Sequence, residues 1–132
     1  MFMSKVHRIA KRVCILAATS SALLFCTLPA RAQLLETYQA FLGPSDHFNS
    51  SGARLTQPWQ IIRQDRANFH KFGVRDPGDE YDSFFALEAN RSLMEQMILN
   101  GSIQRSAANR IVNGNVFIRV EIYPNSVNVT VN

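Results

Sequence analysis

The stretch VFIRVEIYPNSVNVTV, residues 116–131, decides the fold class. Val116, Ile118, Val120 and Ile122 alternate with Phe117, Arg119, Glu121 and Tyr123; after Pro124-Asn125-Ser126, Val127, Val129 and Val131 alternate with Asn128 and Thr130. A period of two places alternate side chains on opposite faces, so the pattern predicts a β-hairpin with one apolar face. Two strands alone are marginal in water, so other elements must cover that face.

The cover is sought upstream. Thr56 as a cap, Pro58 just inside and Gly73 just beyond Phe72 predict a helix over 57–72, with Ile61, Ile62, Phe69 and Phe72 on one stripe. Phe84, Phe85 and Leu87 open a second helical region, in which Leu93, Met94, Met97 and Ile98 form a core stripe before Asn100-Gly101. Ser102 is read as the cap of a third helix carrying Ile103, Ala107, Ile111 and Val112 inward, antiparallel to the second because the link is short. Tyr38, Ala40 and Leu42 alternate with Thr37, Gln39 and Phe41, which suggests a strand able to join the hairpin. The expected fold is α+β, a small antiparallel sheet of the C-terminal hairpin and an N-terminal strand, covered by about three helices. Residues 43–57, rich in Pro, Ser, Asp, Asn and Gly, read as a long surface loop.

The first 32 residues have a different character. Lys5, Arg8, Lys11 and Arg12 precede an apolar run from Val13 to Leu28, and Ala30-Arg31-Ala32 supplies a small-residue cleavage site. This is the layout of a cleavable signal peptide, 1–32, and predicts a periplasmic or secreted domain starting at Gln33. Cys14, Thr19, Ser20, Ser21 and Thr27 interrupt the run, so it is a poor membrane anchor, and no transmembrane segment is expected after processing. Phe25 before Cys26 argues against a lipid anchor.

Five of the fourteen basic residues leave with the leader, and nine basic face ten acidic residues in 33–132. The formal charge of that domain is near −1, which removes any argument for nucleic acid. Both cysteines sit in the leader, so the 33–132 domain is cysteine-free and holds neither a thiol nucleophile nor a thiolate metal site.

Asp65 falls inside the apolar stripe, and a carboxylate facing a core must be paired or hydrogen-bonded. It reads as a structural buried carboxylate that accepts loop amides or pairs with an arginine, pinning the 43–57 loop to the helix; the alternative is a catalytic or metal-binding role. Asp76, Asp79, Glu80 and Asp82 crowd one turn, and Asp82 suits a cap for Ser83-Phe84-Phe85. The spacing lacks the ladder of a helix-loop-helix calcium site. His47 and His70 are the only histidines of 33–132, so a zinc site would have to use both, with Asp65. Ser45-Asp46-His47 matches a hydrolase triad only as letters, since triad members converge from separate elements.

The segments LGPSDHFN, 42–49, and RQDRAN, 63–68, resemble small exported proteins of proteobacteria with no assigned activity. That resemblance implies a periplasmic address and carries over no active-site residue. The functional expectation is a non-catalytic domain with no cofactor that binds a protein partner or a cell-envelope component through Trp59, Arg63, Arg66 and His70, where an aromatic beside cations suits an anionic group. The alternative is a metal-dependent hydrolase or calcium-stabilised module.

Overall fold

A computed structural model describes residues 31–132. The leader reading falls almost wholly on residues 1–30, outside the described ones. Four strands, β1 (Glu36–Leu42), β2 (Ser102–Ile103), β3 (Val116–Ile122) and β4 (Val127–Val131), form one sheet in the order β1-β3-β4-β2. β3 and β4 are the expected hairpin, with Val120 opposite Val129, and β1 runs antiparallel along the other side of β3, with Ala40 opposite Ile118.

The alternation decides the burial. Tyr38, Ala40, Leu42, Val116, Ile118, Val120, Ile122, Val127 and Val129 are buried on one face, while Phe117 and Arg119 face solvent on the other. Helices α1 (Pro58–Ala67), α2 (Glu88–Arg91), α3 (Met94–Asn100) and α4 (Arg105–Asn113) complete the α+β fold. Ile61, Ile62, Phe85, Met94, Met97, Ile98 and Ile111 join the strands' apolar face in one core. α1 packs against β1, α3 and α4, which makes it the central element of the helical layer.

Four details correct the sequence reading. The sheet is mixed, because Ser102 is no helix cap: Ser102 and Ile103 pair parallel with Asn128 and Val129, and α4 begins only after Gln104. Gly101 allows this crossing. A Cβ there would lie 1.7 Å from the Val127 carbonyl oxygen, so only glycine lets the chain pass the β4 backbone. The second helical region is split into α2 and α3, and Leu87 and Leu93, at 61 % and 51 % exposure, point outward. Asp82 caps a turn, not a helix, accepting the Phe85 N–H at 2.6 Å.

The start and end of α1 also differ from expectation. Gln57, not Thr56, occupies the cap, and the Gln60 Oε1 accepts both the Thr56 and Gln57 N–H groups. α1 then widens into a π turn, Asn68–Phe72, which Gly73 ends at φ 68°. A wider turn advances less per residue, so Phe72 rotates off the stripe and is 55 % exposed, whereas Phe69 stays buried.

Candidate functional site

The sequence candidates around α1 separate into a buried charge cluster and an open cleft. Asp65 is buried, and Arg66 Nε donates to its Oδ2 at 2.7 Å. Arg66 Nη1 donates to Asp82 Oδ1 at 3.0 Å and to the Glu80 carbonyl at 2.9 Å. His70 Nε2 lies 2.9 Å from the same Asp82 oxygen. The guanidinium sits against the rings of Tyr38 and Phe69, 4.2 and 4.7 Å from their centroids. Burial pushes the Asp65 carboxyl up to about 7, against the pull of the adjacent guanidinium. Burial also raises the Tyr38 hydroxyl well above its ordinary range, the same guanidinium opposing it.

Arg66 is therefore no part of a binding surface, because its side chain is fully enclosed. Helical spacing leaves Arg66 off the stripe of Ile61, Ile62 and Phe69; the acidic turn crosses over it and supplies, with Asp65, the counter-charges that make the burial tolerable. His70 is enclosed with it, its side chain 5 % exposed. Trp59 packs partly onto the core, with the exposed Arg63 guanidinium 4.9 Å over its ring.

The 43–57 loop is fastened to the helical layer by residues other than Asp65. Asp46 accepts from Asn68 Nδ2 and from the Gly43 N–H, each at 2.8 Å, and burial raises its carboxyl. His47 is buried with Nδ1 at 2.8 Å from the Gly43 carbonyl and Nε2 at 2.8 Å from that of Ile111. Arg54 Nη2 donates to the Val112 carbonyl at 3.1 Å. His47 and Arg54 thus reach successive carbonyls in the last turn of α4, where the Arg54 cation suits the helix dipole.

The acidic turn closes the outer edge of β1. Asp79 Oδ1 accepts the Phe41 N–H and Glu80 Oε2 the Gln39 N–H, each at 2.8 Å, and the Glu80 N–H donates to the Gln39 carbonyl at 2.9 Å. Asp79 also takes the Asp76 N–H at 2.8 Å. Asp76 is raised by burial first and by Asp79 second. The carboxylates considered for calcium are thus largely engaged with backbone amides. Among the described residues, no three His, Cys, Asp or Glu side chains are grouped so as to hold a metal ion, so His47, His70 and Asp65 do not converge.

The open feature is a cleft of about 240 Å³ between the tip of the 43–57 loop, α1 with its π turn, and α2. Arg63, Lys71 and Arg91 line it with Ser50, Ser92 and Gln64, and Glu88 is its single carboxylate. Arg63, Ala67 and Lys71 come from one face of α1 and its continuation, four residues apart, so turns on either side of Ala67 deliver two cations to one wall. Arg91 comes from the opposite wall. It is only 6 % exposed, and its Nη1 is held by the carbonyls of Phe85 at 2.7 Å and Ala86 at 3.0 Å. Among the described residues, none of these three cations is in an ion pair.

Of the sequence candidates, the cleft holds only Arg63. Lys71 and Arg91 were missed because they carry no local motif; Lys71 lies two turns beyond Arg63 and invited notice on spacing alone. No protein family, curated protein or solved structure matches the chain.

Proposed function

We propose that the domain is an exported, non-catalytic binding module that recognises an anionic group on a protein partner or a cell-envelope component. The observation that carries this reading is the cleft lined by Arg63, Lys71 and Arg91, none of them in an ion pair among the described residues, against the single carboxylate of Glu88. The net positive charge of this lining favours an anion, and guanidinium and ammonium groups bind one with charge-assisted hydrogen bonds. The anchoring of Arg91 lowers the ordering cost of binding, because its guanidinium is fixed in place by the two carbonyls.

The test is retention of a partner from an envelope extract by the protein and by its Arg63→Gln/Lys71→Gln variant. Both substitutions are solvent-facing, so the melting temperature should hold within about 3 °C, since surface changes stay near ±0.5 kcal/mol. Loss of retention with unchanged melting is the expected result. Undiminished retention removes this surface from the function. The exported address is part of the proposal, and the protein recovered from cells should begin at Gln33.

A further inference from the structure

The charge and donor content of the cleft narrow the anion it takes, on the footing of the recognition reading above. Arg63, Lys71 and Arg91 against Glu88 leave a formal surplus of two positive charges. A carboxylate, with one charge and two coplanar oxygens, is fully served by a single arginine. A phosphate monoester carries about −1.5 to −2 at neutral pH and three acceptor oxygens pointing in different directions. The donors around the cleft match the second description: guanidinium N–H groups on opposite walls, an ammonium, the Ser50 and Ser92 hydroxyls and the Gln64 amide.

Size agrees with charge. At about 240 Å³ the cleft has room for a phosphoryl group. Ala67 and Phe72 also line the cleft and give it an apolar portion for whatever carries the group.

We infer that the cleft is a phosphoryl-binding site: Arg91 is its fixed anchor, Arg63 and Lys71 are its two solvent-exposed cations, and its ligand is a phosphate monoester group or free phosphate. The geometry of Arg91 distinguishes this site from a chance gathering of surface cations. Its stem is enclosed and one nitrogen is committed to two backbone carbonyls, so it lines the cleft without the rotamer freedom that an exposed arginine would lose on binding.

The test is a titration of the protein followed by amide resonances of Gln64, Lys71 and Ser92, at constant ionic strength, with inorganic phosphate, glycerol phosphate and acetate as probes. Saturable shifts with phosphate or glycerol phosphate, at least tenfold tighter than with acetate, are expected. Lys71→Gln and Arg63→Gln should each weaken phosphate binding roughly tenfold, the loss of about 1.4 kcal/mol. They leave the fold intact, which keeps the test independent of Arg91→Gln, a change that also removes bonds to Phe85 and Ala86. Tighter binding of the glycerol ester identifies a phosphate monoester as the ligand, and tighter binding of the inorganic ion identifies free phosphate. If acetate moves the same resonances as strongly, the phosphoryl assignment falls while anion recognition stands. If no probe moves them, both fall.

Discussion

Replacing Arg66 with Met keeps most of the stem's volume and removes the guanidinium from the centre of the buried cluster. Three hydrogen bonds go with it: those to Asp65 at 2.7 Å, Asp82 at 3.0 Å and the Glu80 carbonyl at 2.9 Å. Two of them involve carboxylates and are worth about 1.5–3 kcal/mol each. The methionine returns part of that by packing against Tyr38 and Phe69, as the guanidinium did. Removing one partner of a buried pair costs about 3–5 kcal/mol in general, and the sum here falls in that range. For a domain of this size each kcal/mol lowers the melting temperature by about 4–8 °C, so a drop of roughly 15–30 °C at pH 7 follows. Thermal unfolding followed by circular dichroism reads it directly. Two companions sharpen the result. Asp82→Asn in the Arg66→Met background should restore part of the loss, because the amide leaves no carboxylate stranded without its guanidinium. The penalty should also shrink at pH 4, where Asp65 is protonated with or without the guanidinium beside it. A drop under about 5 °C at pH 7, or an equal drop at pH 4, would refute the view that Arg66 is the charge holding these buried acids.

Two further outcomes follow from the same structure. Asp65, raised from 3.8 to about 7 mainly by burial, holds a proton in the folded state that the unfolded chain releases near pH 4. The folded state therefore binds more protons between these values, and stability should fall as pH rises from about 4 to about 7, by as much as ~4 kcal/mol, then level off. Asp46 and Asp76, also raised, act in the same direction. Denaturant unfolding across that range measures the slope, which Asp65→Asn should flatten; an unchanged slope would mean that other groups carry it. Gly101→Ala should destabilise by about 3 kcal/mol or more, because the new methyl group meets the β4 backbone, which cannot turn aside as a side chain can. A melting shift within error would show that the β2 crossing is loose.

What was legible in the sequence was whatever repeats at short range. The alternation over 116–131 fixes the hairpin and its buried face, the one over 37–42 supplies the strand beside it, and Pro58 and Gly73 bracket α1 with its π turn. Asp65 could be read as a buried acid because the rest of its stripe is apolar. Arg66 could not be read as buried, since the groups that receive it lie fourteen and sixteen residues away. β2 was hidden for a similar reason: two residues hold too little pattern to distinguish a strand from a cap, and the pairing with Asn128 and Val129 is set by the fold. The cleft is assembled from residue 50, residues 63–72 and residues 88–92, so no window along the chain contains it.

The carboxylates on the outer edge of β1 have a consequence for how the molecule meets its own kind. β1 ends the sheet, and the outward N–H groups of Gln39 and Phe41 would be donors for a strand from another chain. Asp79 and Glu80 occupy those donors with negatively charged oxygens, so an approaching strand finds the docking positions taken and is repelled by charge as well. The turn works as an insulator: it stops the sheet from growing on that side without adding a further strand.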